Sequence, residues 1–175
     1  IKMEGLQLIS HEKNQGKGAA IQTGLKNATG DAVIIQDADL EYDPNDIKLL
    51  ILEMQRDPDL AAVYGSRNLK PKRRGYSFFI LGVYVLTQLV NILYRSKLTD
   101  VYTCYKLIRT PVFKSLGISS SGFEFEMEVT VKMLQRKLAI AEVPISYNPR
   151  KFEEGKKIRF LDGLIGLWVL FKNYF

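Results

Sequence analysis

The 175-residue sequence holds one cysteine, Cys104, and one histidine, His11. A single thiol excludes an internal disulfide and a cysteine-rich metal site, and it fits a reducing compartment in which Cys104 is a packing residue. His11 has no second ligand near it in sequence, so it reads as an ordinary polar side chain. Repeats and low-complexity tracts are missing as well, which excludes a solenoid or an array. The chain starts in mid-element at Ile1-Lys2-Met3-Glu4-Gly5, with neither an initiator methionine nor a signal peptide, and is expected to be a fragment of something longer.

Formal charge is absent from the twenty positions 75–94. That length is in principle enough to cross a bilayer. Ser77, Thr87, Gln88 and Asn91 interrupt the run, and Lys70, Lys72, Arg73, Arg74, Arg95 and Lys97 flank it. The expectation is an amphipathic helix near 76–95, partly buried and partly lying on a membrane surface, with a bilayer span as the alternative. Residues 160–175 are apolar nearly all round and end in Trp168, Phe171, Tyr174 and Phe175. They read as a second membrane-interface helix or as one packed on the first.

Hydrophobic residues make up 46% of the chain, enough for one sizeable core and a single domain over 1–175. A net charge of +6 implies anionic partners: nucleic acid, phosphorylated small molecules or an anionic membrane surface. The basic residues sit beside long apolar helices rather than along a polar face with exposed aromatics, which argues against nucleic acid.

The richest stretch is 31–44, where the apolar run Val33-Ile34-Ile35 ends in carboxylates at alternate positions, Asp37, Asp39 and Glu41. It reads as a strand buried on both faces of a sheet and opening onto an acidic loop, followed by a helix capped by Asp43 with Pro44 in its first turn. Open α/β sheets bind ligands at the carboxyl ends of their strands. Carboxylates this close repel one another unless a cation joins them, and oxygen ligands suit Mg²⁺ or Mn²⁺.

Before this stretch, 6–10 reads as a short strand, Asn14-Gln15-Gly16-Lys17-Gly18 as a loop, and 17–28 as a helix that Gly30 ends. The result is a βαβ unit. Lys17 and the backbone at that helix start suit a phosphate, although neither the Walker pattern nor the dinucleotide fingerprint is matched. Residues 44–56 form an amphipathic helix with Ile47, Leu50, Ile51 and Met54 on one face. Strand 61–64 then delivers Arg67, a second candidate for a phosphate, to the same sheet edge if the strands are parallel. Residues 98–109 read as a loop and a short strand, and Thr110-Pro111 starts a short helix that Gly117 ends.

Residues 123–133 alternate apolar and polar side chains, as a strand does. The acids Glu124, Glu126 and Glu128 nevertheless come first and the bases Lys132, Arg136 and Lys137 last, which complements a helix dipole and favours a helix. Strand 139–147 follows, with Pro144 marking an edge or a bulge. The loop 148–159 holds five cations and two anions around Gly155 and suits a phosphate.

In order and spacing, Asn14 to Gly18, Gly30-Asp31, Asp37 to Pro44 and Gly65-Ser66-Arg67 resemble the inverting family 2 glycosyltransferases. Within that family the resemblance is to the polyprenyl-phosphate sugar synthases of the dolichyl-phosphate mannose synthase type. Thr99-Asp100, Tyr105-Lys106, the helix from Phe123, Glu142 to Ile145, Tyr147 to Arg150 and Glu154 to Lys157 extend it over nearly the whole chain. It implies a glycosyltransferase A fold: α/β, with a mostly parallel central sheet flanked by helices. Family members also carry an N-terminal strand and a nucleotide-binding loop that this sequence lacks, so the chain is expected to be N-terminally truncated and to fold poorly or be inactive alone.

The resemblance further implies a nucleotide-diphosphate sugar donor and a polyprenyl phosphate acceptor at the cytoplasmic face of a membrane. Asp39, helped by Asp37 and Glu41, would hold Mg²⁺ or Mn²⁺ against the diphosphate, and Lys17 and Arg67 would support donor phosphates. A glutamine or serine often stands in the family where Glu41 does, which weakens its metal role. Asp100 is carried over as a base or acceptor-positioning residue. A phosphate acceptor, whose second ionisation lies near pH ~6, is already nucleophilic at neutral pH and needs cations more than a base; Arg150, Lys156 and Lys157 are the candidates to bind it, Arg150 first because a guanidinium can hold two oxygens at once. Two alternatives stand beside this reading: a transferase acting on a sugar hydroxyl in polysaccharide assembly, and a catalytically silent membrane-bound module that holds nucleotide or lipid phosphate.

Overall fold

The computed structural model describes residues 5–70, 77–150 and 160–174. Their sheet has the order β1-β3-β2-β4. Strands β1 (Ala32–Val33), β2 (Ala62–Ser66) and β4 (Ile140–Pro144) share one direction, and β3 (Lys106–Arg109) runs against them between β1 and β2. The expected α/β class is therefore present, but the sheet is mixed rather than mostly parallel: β2 and β4 pair in parallel, and β3 pairs antiparallel with both its neighbours. Because β3 is reversed, it starts at the end where β1 and β2 finish, and the loop before it joins the loops after them.

Successive strand residues face opposite layers. Ala62, Tyr64 and Ile108 enter one core, beneath α3 (Ser77–Tyr94), α5 (Phe125–Gln135) and α6 (Phe160–Tyr174). Val63, Tyr105 and Leu107 enter the other, against Leu50 and Met54 of α2 (Ile47–Arg56). Asp43 caps the entry to α2, accepting from the Asn45 N–H at 2.9 Å across a 3-10 turn, Pro44–Asp46. Ile51, expected on the buried face of α2, is 41% exposed because that face is only as wide as the Leu50 and Met54 contact. The short helix α4 (Thr110–Ser115) begins at Thr110-Pro111, and Gly117 follows it with φ 62°, as its sequence implies.

Three strand expectations change. Residues 6–10 form no strand: no described strand runs beside them to complete a ladder, and Leu8 is 92% exposed. The run 31–35 narrows to two paired residues at the sheet edge, where Ala32 faces Arg109 and Val33 faces Ile108, instead of a strand buried on both faces. Strand β4 stops at Pro144, on the other edge, as a residue without an N–H dictates. Helix α1 (Lys17–Asn27) ends before Gly30, because Ala28 already turns to an extended conformation.

The helix at 125–135 forms despite its period-two sequence. Its alternate apolar residues, Phe125, Met127, Val129, Val131 and Met133, are buried, and so are Glu126, Glu128 and Thr130 between them. Packing on every side removes the distinction between faces that the two periods would report. The buried acids are satisfied instead: Glu128 accepts from the Ser120 N–H at 2.7 Å, the Ser119 N–H at 3.0 Å and Lys132 Nζ at 2.6 Å.

Helices α3 and α6 pack together and on α5, with Val90, Val169 and Leu170 buried and the Tyr94 and Tyr174 rings edge to face at 5.6 Å. Their outer sides leave Leu81, Tyr84, Ile92, Leu161 and Trp168 exposed. Among the described residues no helix is long and apolar enough to cross a membrane.

Burial pushes the Glu128 carboxyl up, but the hydrogen bonds from Lys132, Ser120 and Ser119 outweigh it and lower its pKa to about 2. An unfolded glutamate titrates near 4.5, so this contribution is whole above that pH and is lost as pH falls toward 2. Glu128→Gln is expected to cost up to about 3 kcal/mol at pH 7 and progressively less below pH 4.5. Urea unfolding midpoints measured from pH 7 to pH 3 would check this.

Candidate functional site

The loops after β1, β2 and β4 and the loop before β3 meet at one end of the sheet. The acidic loop is stitched to the segment after β4 by backbone contacts. Tyr42 bridges to Tyr147 in antiparallel fashion, and the Asn148 N–H donates to the Glu41 carbonyl at 2.8 Å. The pairing brings Arg150 over the carboxylates: its Nη2 donates to Asp39 Oδ2 at 2.8 Å, its Nε to Glu41 Oε1 at 3.3 Å, and its backbone N–H to the same Glu41 oxygen at 3.0 Å. Leu40, between the two acids, has φ 60°, a left-handed conformation unusual for a branched side chain. Its strain is held by the contacts on either side.

Tyr147 ties this cluster to a second one. Its hydroxyl donates to Glu41 Oε2 at 3.2 Å, and the Arg67 guanidinium lies over its ring, 5.1 Å from the centroid. Burial and Glu41 push the Tyr147 phenol up to about 12 against the pull of Arg67, so it stays protonated and donates. Arg67 grips Asp100 with both arms of its fork, Nε to Oδ2 at 2.7 Å and Nη2 to Oδ1 at 2.8 Å, and its backbone N–H adds a third bond at 3.1 Å. Asp100 is fully buried. Its turn is fixed from β4 by Glu142, which accepts from the Thr99 N–H and hydroxyl and from the Asp100 N–H. Burial raises the Glu142 pKa in spite of those bonds.

Lys17 faces inward. Its Nζ donates to Asp37 Oδ2 at 2.8 Å, lies 3.3 Å from Glu126 Oε1 and reaches Cys104 Sγ at 3.4 Å. Burial opposes the ammonium charge, but Glu126, Cys104 and Asp37 together hold its pKa well above the usual lysine range. The glycines beside it serve close packing: a Cβ on Gly16 or Gly18 would run into the carbonyls of Ser121 or Ser120, and the Ala19 N–H donates to Ser121 O at 3.2 Å. The start of α1 is thus closed against 120–122 rather than open to a phosphate. Cys104 is buried and burial pushes its thiol up, in keeping with a packing role, and His11 hydrogen-bonds Thr23 at 2.9 Å.

Asp37, Asp39 and Glu41 do not converge: Asp37 pairs with Lys17, and the other two with Arg150. Among the described residues no three His, Cys, Asp or Glu side chains group as a metal site. The donor chemistry still fits Mg²⁺ or Mn²⁺, since Mg²⁺ is commonly held by one or two carboxylates with substrate phosphates and water completing its shell. Asp39, 22% exposed at its side chain, is the carboxylate that fits that pattern.

Lys156 and Lys157 lie outside the described residues, as do the other cations of 151–159. Of the remaining candidates, Arg150 joins Asp39 and Glu41, Arg67 joins Asp100, and Lys17 joins Asp37. Glu126, Lys106, Glu142 and Tyr147 hold these groups in place, and no role was legible for them in sequence. Their only signal was membership in the motif strings at 105–106, 123–126, 142–145 and 147–150.

Removing one partner of a buried ion pair leaves an uncompensated charge. Arg67→Met is therefore expected to lose about 3–5 kcal/mol of stability. Adding Asp100→Asn to it should recover much of that loss, which urea unfolding of the single and double variants would measure.

The family model for glycosyl transferase family 2 matches residues 2–117. Among curated proteins, the chain is 27% identical over 155 residues to the dolichol-phosphate mannosyltransferase of Pyrococcus furiosus, covering 86% of this chain and 43% of that protein. It is 29% identical over 173 residues to a dolichyl-phosphate beta-glucosyltransferase of Trichomonas vaginalis, covering 93% and 51%. It is 27% identical over 156 residues to a low-salt glycan biosynthesis hexosyltransferase of Haloferax volcanii, covering 87% and 38%. The chain thus spans between 38% and 51% of the length of these relatives. Glucosyl-3-phosphoglycerate synthase from Mycobacterium tuberculosis, solved with uridine-diphosphate, matches in structure with a TM-score of 0.71 at 17% identity, over 91% of this chain and 55% of that one. The same enzyme with Mn²⁺, uridine-diphosphate and phosphoglyceric acid matches with a TM-score of 0.69 at 16% identity, over 91% and 54%. The fold is that of the glycosyltransferase A enzymes, and the chain belongs to glycosyl transferase family 2.

Proposed function

We propose that this chain, as a single domain over 1–175, carries the reaction centre of an inverting, divalent-metal-dependent glycosyltransferase that moves a sugar from a nucleotide-diphosphate sugar to a polyprenyl phosphate. The observation that carries the reading is Arg150 lying across Asp39 and Glu41, which puts the strongest acceptor-phosphate cation beside the carboxylate suited to the donor's metal. The similarity to proteins named dolichol-phosphate mannosyltransferase and dolichyl-phosphate beta-glucosyltransferase supports the same donor and acceptor classes.

Asp39 would hold Mg²⁺ or Mn²⁺, and the metal would supply positive charge to offset that of the departing diphosphate. Lys17 acts on this loop through Asp37, to which it donates. Arg67 is committed to Asp100, so it acts by fixing the loop after β2 against the Asp100 turn, and Asp100 acts as a positioning group rather than a free base. The acceptor phosphate brings its own negative oxygen, and Arg150, with Lys156 and Lys157, draws it toward the donor. Helices α3 and α6 supply the surface on which the lipid lies, at the cytoplasmic face of the membrane: Trp168 is 60% exposed, with Lys172 Nζ 4.8 Å from its ring, an apolar and cationic pairing suited to an anionic interface.

The test is transfer of radiolabelled sugar from a panel of nucleotide sugars to polyprenyl phosphate in anionic vesicles, using the full encoded polypeptide. Transfer that needs Mn²⁺ or Mg²⁺ and falls about 100-fold or more in Asp39→Asn is the expected result. Failure to transfer from any nucleotide sugar would refute the reading, while transfer to a sugar hydroxyl that collapses in Asp100→Asn would favour a hydroxyl acceptor. Trp168→Ala should lower co-sedimentation with the vesicles severalfold, and unchanged sedimentation would remove α6 from the membrane surface.

A further inference from the structure

Glu126 has no place in the reaction as proposed, yet it is a buried charge beside the site. It stands in the first turn of α5 and is 4% exposed. Its Oε2 accepts from Lys106 Nζ at 2.8 Å. Lys106 is itself fully buried and also donates to the carbonyls of Val101 at 3.0 Å and Thr103 at 2.6 Å, in the loop that begins at Asp100. The other oxygen, Oε1, accepts no hydrogen bond among the described residues and faces Lys17 Nζ at 3.3 Å. Lys17 in turn donates to Asp37 at 2.8 Å.

Lys106, Glu126, Lys17 and Asp37 thus form a row of alternating charges from β3 through α5 and α1 to the acidic loop. Two ammonium groups balance two carboxylates, so the row is neutral as a set and unbalanced once any member is removed. Burying four charges costs desolvation that apolar side chains of the same volume would avoid. Stability alone therefore does not account for the arrangement, and its ends are informative: one reaches the Asp100 loop, and the other reaches Asp37, the most solvent-open member of the row at 30% side-chain exposure. Among the described residues Glu126 makes no hydrogen bond or ion pair with Asp37, and Lys17 is the cation that joins them, with the buried Cys104 thiol beside all three.

We propose that Glu126 is a positioning residue of the site, holding the acidic loop in register through Lys17 and the Asp100 loop through Lys106. With Glu126 charged, the Lys17 ammonium sits between two carboxylates and Asp37 is drawn toward α5, away from Asp39. Without that charge, Lys17 has Asp37 as its one carboxylate partner, the pair is free to move outward, and the loop carrying Asp39 loses its inner anchor. Only the consequence for donor binding rests on the function proposed above.

The test uses two readouts on the full encoded polypeptide. In amide NMR spectra, Glu126→Gln is expected to shift the signals of residues 36–39, and the same substitution in a Lys17→Met background is expected to leave them in place. Shifts confined to α5 and residues 101–106, or shifts of equal size in both backgrounds, would overturn the proposal. If Glu126→Gln does not fold, Lys17→Met alone serves: it must shift both the 36–39 and the 124–128 amides, and failure to shift the second set is equally fatal. Calorimetry with UDP and with GDP in Mn²⁺ gives the second readout. Glu126→Gln should weaken nucleoside-diphosphate binding at least tenfold, Glu126→Asp should recover part of it, and the losses from Glu126→Gln and Lys17→Met should not add, as expected for groups acting through one another. Additive losses overturn the proposal. Binding of neither nucleotide by the unsubstituted chain overturns the donor reading alone and leaves the spectra to decide the role of Glu126.

Discussion

Uncompensated negative charge is the constraint on which the rest of the molecule depends. Asp37, Asp39, Glu41, Asp100 and Glu126 gather at one end of the sheet, and a cation from a distant part of the chain meets each: Lys17, Arg150, Arg67 and Lys106. These cations come from four different elements or loops. Every loop at that end is therefore tied to another by charge as well as by backbone bonds. An unpaired carboxylate at the depth of Asp100 or Glu126 would cost several kcal/mol, so the pairings and the fold stand together.

The reversal of β3 is what makes these pairings reachable. A strand entering from the carboxyl ends of β1 and β2 carries the turn at 99–104 to Arg67, and Lys106 at its start to the foot of α5. Close approach of backbone does the remaining work. Helix α1 meets 120–122 only because Gly16 and Gly18 lack a Cβ, and that contact aims Lys17 under the acidic loop. The alternating sequence of α5 is explained by the same crowding: a helix surrounded on all sides has no polar face to declare.

Two kinds of surface leave the site. The acidic loop with Arg150 forms a polar edge in which one guanidinium meets two carboxylates, Asp39 and Glu41. Helices α3 and α6 form an apolar side, with Leu81, Ile92, Leu161 and Trp168 exposed over a packed seam of Val90, Val169 and Leu170. The reaction proposed above, between a nucleotide-diphosphate sugar and a lipid-borne phosphate, would use both surfaces.

Much of this was determined by the sequence alone. The α/β class, the helices at 17–27, 47–56 and 110–115, the strand at 62–66, and the choice of helix for 125–135 followed from apolar periodicity, caps and the order of charges. The family followed from the ordered set of short motifs. Tertiary structure decided the partners. No local pattern encodes that Lys17 turns to Asp37 and Glu126 instead of outward to a phosphate, that Arg67 is spent on Asp100, or that Arg150 lies across Asp39 and Glu41. Those pairs are separated by 20 to 111 residues in the chain, and they form because the reversal of β3, the closure of α1 on 120–122 and the pairing of Tyr42 with Tyr147 bring them within a hydrogen bond. Propensity and periodicity act over a turn or a strand, whereas compensation of buried charge acts through space, so it becomes visible only once the chain is folded.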